Sequence, residues 1–398
     1  MSDTTTANPT VEIDNPATLV ELVRDCESRE TAIVDYGIAH GGLGYPPPAE
    51  HVRLVQHGSV IEHYERDLTV RAAAGTTMGK LQETLQPHNQ FLPIDADDDL
   101  TLGEVINHNM YGPLRVAYGS TRELILGLRF VDGRGRDIHV GGRTVKNVAG
   151  YDMSRFMVGS LGEMGPVYEA TLRTCAIPSQ AIGVELSINN PDELDSILPD
   201  WLLTDAAPGA MTMIRSDSGW QLHFGYFGTS RSCEVQLTSL ETRLRSDENL
   251  DIVTRSRHAL PEHLDQTAGR RAWRREDAAV VKVIVPPAHT GRACNALANG
   301  FADTSSLRIE ALPVHGCIFA GGRLDATQAQ ALDKLINGTI DPVGGLRTWV
   351  NRPNGAKSIE PFAPPQLDRP MLDRLKRTLD PKYLFNPGRF LARPETDP

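Results

Sequence analysis

Nowhere in its 398 residues does the chain carry an apolar run near the roughly 20 that a membrane helix needs. Its first residues, M-S-D-T-T-T-A-N-P-T, are polar and acidic, with neither the basic start nor the apolar stretch of a secretory leader. Cysteine is sparse: Cys26, Cys175, Cys233, Cys294 and Cys317 are odd in number, widely spaced, and form no C-x-x-C. That usage predicts a reduced, cytoplasmic setting and no iron–sulfur cluster within the chain. There is no basic excess either. Lys and Arg number 40 against 51 Asp and Glu, a formal charge of −11, which excludes an extended nucleic-acid surface. Also missing are G-x-x-x-x-G-K-[ST], H-E-x-x-H and G-x-S-x-G, and with them the phosphate loop, the zinc-protease helix and the nucleophile elbow. No metal site is expected.

What the chain does have is clustered glycine. The run from Val145 to Thr171 carries Gly150, Gly159, Gly162 and Gly165 and then becomes strand-like at Val167. Glycine spaced in this way permits positive φ and lets backbone approach a flat or bulky group. Close helix–sheet packing through small residues is the plainer explanation. A second loop, Tyr36 to Gly44, follows a short apolar strand at Ala32–Val34. Successive N–H groups there can form an anion nest, enough to hold a diphosphate without lysines, although a surface loop has the same composition. A third set, Gly103 through Gly112 to Tyr118-Gly119-Ser120, is weak alone. Gly133-Arg134-Gly135 lies between strands, and a turn explains it.

Spacing predicts an early helix with Leu19, Leu22, Val23 and Cys26 on one face, capped by Asn15 or Thr18. Val60–Ala74 reads as strands around a charged turn. A helix with Met78, Leu81 and Leu85 follows, capped by Thr76 or Thr77. Leu128–Val131 and Ile138–Val140 flank D-G-R-G as a hairpin. Beyond Pro178, strands at 182–188, 220–227 and 280–285 alternate with helical patterns at 191–203, 232–244 and 326–336. Asn351–Pro370 is Pro-rich and linker-like, and Met371–Leu379 is an amphipathic helix. The class is α+β. The expected division is a tail at 1–10, a first domain at 11–178, a second at 179–360, and a C-terminal segment at 361–398.

The run G-R-T-V-K-N-V-A-G-Y-D-M-S-R-F-M-V-G-S-L-G-E-M-G-P-V-Y-E-A-T resembles the FAD-binding subunits of bacterial glycolate oxidase. These lie within the vanillyl-alcohol oxidase / p-cresol methylhydroxylase superfamily. L-T-V-R-A-A-A-G-T-T-M-G-K-L, Leu92-Pro93, Thr101-Leu102-Gly103, the hairpin, and Asn386-Pro387-Gly388-Arg389 fall in the same order. The resemblance is good over residues 11–178 and clear in about the last 30. It implies a two-lobed p-cresol methylhydroxylase-type FAD-binding domain, an α+β cap domain, and a C-terminal segment that returns to the FAD domain. By the same resemblance Gly37, Ile38, Ala39, His40, Gly41 and Gly42 hold the diphosphate, and FAD is bound without a covalent link. Gly103, Tyr118 and Gly119 line the flavin. Gly150, Tyr151, Gly162, Gly165 and Val167 shape the ring and adenine pockets, and Asn386 comes back from the C-terminus.

Two departures stand out. The diphosphate loop reads Y-G-I-A-H, with Ala39 in place of a glycine and Asp35 beside it. The cap motif of 2-hydroxy-acid-oxidising relatives, H-x-G-D-G-N-x-H, is reduced to His315-Gly316-Cys317. His315 is thus a weak catalytic candidate. The implied role is an FAD-binding subunit of a glycolate oxidase/dehydrogenase-like complex. Its partners would be a catalytic flavoprotein subunit bearing the base and an iron–sulfur subunit, with any membrane association through them. The alternatives are a flavin-free scaffold in the same complex and a stand-alone FAD oxidase of another hydroxylated substrate.

Overall fold

Asn15 opens the first helix, Pro16–Arg29: its side chain accepts the Thr18 N–H at 3.0 Å, and Pro16 stands where no N–H is needed. Leu19, Leu22, Val23 and Cys26 are buried on one face. The residues before it form a strand, Thr10–Ile13, which the sequence spacing does not mark. The cause is long-range: the strand pairs in parallel with Val52–Gln56, which also pairs with Ile33–Asp35. The computed structural model describes residues 8–35, 48–143, 152–216, 219–246, 252–259, 279–301, 307–353, 355–356, 358–363 and 369–389.

The chain divides into two compact units. The first comprises Met1–Tyr111, Gly119–Ile177 and Gln366–Pro398. It holds the three-stranded parallel sheet and a five-stranded antiparallel sheet. The second sheet runs Val60–Tyr64, Thr69–Ala73, Val167–Arg173, Ile125–Val131, Asp137–Gly141. The helix Met78–Leu85, capped by Thr77, buries Met78, Leu81 and Leu85. It shares a core with Leu102, Val105 and Ile106 of the helix Leu102–Asn107 and with Val70, Leu128, Phe130, Val167 and Leu172 of the sheet. Thr101 and Glu104 cap that helix reciprocally.

The small parallel sheet has an open edge at Ile33–Asp35, and the C-terminal segment covers it. Ile33 donates its N–H to the Leu384 carbonyl at 2.7 Å, and Asn386 donates to the Ile33 carbonyl at 2.9 Å. Leu384 and Phe385 enter the core with Leu19, Val23 and Leu54. The edge is thereby paired and protected.

The second unit comprises Gly112–Tyr118 and Pro178–Pro365. Its nine-stranded antiparallel sheet has the order Ile252–Ala259, Gln180–Ile188, Gly219–Gly228, Ala210–Ser216, Arg308–Leu312, Cys317–Gly322, Ala279–Ile284, Leu346–Asn351, Phe362–Ala363. The last strand lies in the stretch whose prolines had suggested a linker. One core joins this sheet to helices Leu194–Leu202, Ser230–Ser246, Thr290–Gly300 and Ala326–Ile340 around Trp201 and Trp349. Trp349 donates its indole N–H to Asp333 Oδ1 at 2.6 Å, and Arg347 Nη2 donates to Asp333 Oδ2 at 3.0 Å. Arg347 is 4% exposed, and burial pulls its pKa below the usual arginine value against the neighbouring carboxylates. Asp333→Ala would leave this buried guanidinium without its carboxylate partner, with the Asn337 side-chain oxygen and the Glu360 carbonyl still accepting from it. An expected loss of about 3–5 kcal/mol is checked by urea unfolding; a change below 1 kcal/mol would show that the site relaxes around the charge.

Candidate FAD-binding site

The candidate site lies in the first unit, where three stretches of chain meet. The helix Leu102–Asn107 ends in the run Asn107-His108-Asn109, with Asn109 at φ 48°. An asparagine tolerates that left-handed conformation better than most residues. The turn at 159–162 packs against this end: Gly159 donates to the Ile106 carbonyl at 2.9 Å and Leu161 to the Asn107 carbonyl at 3.1 Å. Gly159, Leu161 and Gly162 all have positive φ, at 82°, 53° and 69°. A Cβ on Gly159 would sit 3.3 Å from that of Asn109, so the turn approaches closely there.

Asn386 is the third element and the link between the others. Its Nδ2 donates to the Leu161 carbonyl at 3.0 Å, and its Oδ1 accepts the Asp35 N–H at 3.0 Å. It is 2% exposed and held at φ 40°. The hydrogen bonds therefore run from the helix end, through the turn and the C-terminal residue, to the last residue of a parallel strand. That strand leads into residues 36–47.

The polar groups left over at this junction point to a ligand. Asn107 is fully buried, yet among the described residues neither its Oδ1 nor its Nδ2 has a partner. Asn109 Oδ1 and Ser160 Oγ are likewise buried without one. An unmet buried amide costs about 1–3 kcal/mol, so four such atoms in one junction suit a molecule that brings both donors and acceptors. His108 lies between the two asparagines. Its Nδ1 is 2.9 Å from the Glu104 carbonyl and so must carry the proton, leaving Nε2 as an acceptor. Burial lowers its pKa below the ordinary 6.5, and the positive charge of Arg389 pushes the same way; the carbonyl and carboxylate of Glu104 oppose them. The ring is neutral near pH 7.

The residues named from sequence divide accordingly. Gly162 and Asn386 are in this junction. Gly103 lies at the start of the same helix, where a Cβ would meet Ala74 at 3.3 Å; its smallness is used by helix–strand packing. Gly165, at φ 136°, packs against the Val131 carbonyl, and Val167 is fully buried in the apolar core. Gly119, at φ 89°, abuts Glu123 where a short helix begins.

Tyr118 groups with the second unit, its ring 5.8 Å from that of Phe227, where the Ala117 N–H binds the Gly209 carbonyl. His315 also lies in the second unit, in a turn between strands. Gly37, Ile38, Ala39, His40, Gly41, Gly42, Gly150 and Tyr151 fall outside the described residues. Asp35 is described: its Oδ2 accepts from Gln56 Nε2 at 3.5 Å. Sequence reading missed Asn107, His108, Asn109 and Ser160. The two asparagines flanking a histidine at a helix end were the available signal.

Comparison with known proteins supports the fold and the cofactor. Residues 8–141 match the family model described as an FAD binding domain. The glycolate oxidase subunit GlcE of Escherichia coli (strain K12) is 26% identical over 388 residues, covering 96% of this chain and 99% of that protein. The glycolate oxidase subunit GlcD of Bacillus subtilis (strain 168) is 27% identical over 205 residues, 50% of this chain and 44% of that one. Among solved structures, an alkyldihydroxyacetonephosphate synthase superposes with a TM-score of 0.68 at 16% identity, over 95% of this chain and 76% of its own. The resemblance carried by the K-N-V-A-G-Y-D run is thereby borne out in fold, and the cofactor is FAD.

Two outcomes are expected. Asn386→Ala leaves the Asp35 N–H and the Leu161 carbonyl unmet. It should cost about 2–4 kcal/mol in denaturant unfolding and weaken FAD binding; unchanged values for both would remove Asn386 as the link. The second concerns pH. Because the folded pKa of His108 is depressed, the unfolded chain takes up the proton first as pH falls. The stability at stake is fully present above the unfolded value and is lost as pH drops towards the folded one. His108→Gln should flatten the fall in unfolding free energy below about pH 6.5, and a slope identical to wild type would refute this.

Proposed function

We propose that this FAD-binding oxidoreductase is the flavin-holding subunit of an assembly that oxidises a 2-hydroxy acid, with the substrate base on a partner subunit. The carrying observation is the junction of unmet buried amides at Asn107 and Asn109, bridged by Asn386. Its similarity along nearly its whole length to a glycolate oxidase subunit supports the substrate class. A second relative with a subunit name supports an assembly of more than one chain.

FAD, when bound, supplies the two-electron acceptor for the substrate carbon. The chain's own residues do the holding. The Asn107 amide and Asn109 Oδ1 would meet the polar edge of the ring system. Neutral His108 offers Nε2 as an acceptor, and its Nδ1–H is anchored on Glu104. N–H groups of residues 37–42 would hold the diphosphate, and the Asn386–Asp35 bond fixes where that loop begins. Removing hydride from a hydroxy acid also needs a base near the hydroxyl and cations for the carboxylate. His315 stands in its turn without the second histidine and acidic residue of the full motif. That deficit favours a partner base over a stand-alone oxidase. The FAD-binding domain match favours a flavin-loaded subunit over a flavin-free scaffold.

The purified chain is expected to be yellow and to bind FAD by titration calorimetry at micromolar levels or tighter. Glycolate or D-lactate should bleach that flavin only when a catalytic partner chain is present. Bleaching of the isolated protein by a hydroxy acid would replace this reading with the stand-alone oxidase.

A further inference from the structure

We propose that Lys376 is a positioning residue for the flavin: its buried ammonium sets the turn at Leu161–Gly162 against Asn386. The inference rests on the reading that FAD lies in the Asn107–Asn386 junction. Lys376 lies on the helix Arg369–Leu379 and is 1% exposed. An ammonium has three donors and no acceptor, and three acceptors are in place. These are the Glu163 carbonyl, the Phe385 carbonyl at 2.9 Å, and Asp380 Oδ2 at 2.8 Å. Glu163 is two residues beyond Leu161, and Phe385 immediately precedes Asn386. The ammonium thus ties the same two chain segments that the Asn386–Leu161 bond joins, just outside it.

Asp380 completes the clasp. Its side-chain side of the pair is fully buried, and its oxygens accept the N–H groups of Leu384 and Phe385, each at 2.9 Å. The Leu379 carbonyl accepts the Gly133 N–H at 2.7 Å, so the helix end is anchored on the hairpin as well. A buried ion pair is a poor way to gain stability, since an apolar pair of similar volume often does as well or better. What apolar side chains cannot do is aim at two carbonyls at once. With the charge gone, the Glu163 and Phe385 carbonyls lose their shared donor, and the turn and the C-terminal segment can shift apart at the flavin.

The experiment compares wild type, Lys376→Met, and Lys376→Met/Asp380→Asn. The double variant removes both charges and keeps an amide oxygen for the Leu384 or Phe385 N–H. Asp333→Ala in the second unit serves as a control for lost stability alone. Expected are an FAD dissociation constant raised roughly tenfold or more in both Lys376 variants, and an altered visible circular dichroism of the bound flavin. The control should show neither at a comparable loss of Tm. Wild-type affinity and spectrum in the double variant would overturn the proposal. If neither variant folds, hydrogen exchange on wild type decides. FAD should protect the amides of 161–164 and 384–386 together, and protection of one stretch without the other overturns it. A wild type that binds no FAD sinks the functional reading itself, and this inference with it.

Discussion

The first unit depends on one constraint: the C-terminal segment must be held against the open edge of the small parallel sheet. Backbone pairing at Ile33 does part of this, and the Lys376–Asp380 pair does the rest from inside the core. The carbonyl of Glu163, the N–H groups of Leu384 and Phe385, and the side chain of Asn386 all take their places from that return. Without it the parallel strand would end at an exposed edge. The turn at 159–162 would then lack its second support.

The same constraint shapes the site's chemistry. The candidate site presents backbone groups, amides and a neutral imidazole, with the charge of Arg389 close to His108, in a chain that is acidic overall. Neutrality at His108 is itself a product of the packing: burial and the Arg389 charge both disfavour the imidazolium. Catalysis of hydride removal is a different demand, and the second unit carries only the shortened His315 motif towards it.

Local signals were readable where local physics decides. Asn15 and Thr77 cap the helices they precede, and the Leu19, Leu22, Val23, Cys26 face is buried as its spacing requires. Strands were harder. Thr10–Ile13 and Val52–Gln56 are short and hold their places through long-range parallel pairing, the second also with Ile33–Asp35. Phe362–Ala363 was hidden among prolines for the same reason. Tyr118 sits one residue from Gly119, yet the two belong to different units, which no spacing could reveal.

By itself the sequence determined the α+β class and the FAD-binding resemblance, because glycine-rich turns and N-P-G-R are local patterns carried by residue type. Only the tertiary structure decided what those residues do. Gly103 and Gly165 serve packing, Val167 the core, and Gly162 the junction. Asn107 becomes notable because folding buries its amide and, among the described residues, offers it no partner. Burial and hydrogen-bond satisfaction are properties of segments brought together from residues 33, 107, 161 and 386. No window of sequence contains all of them.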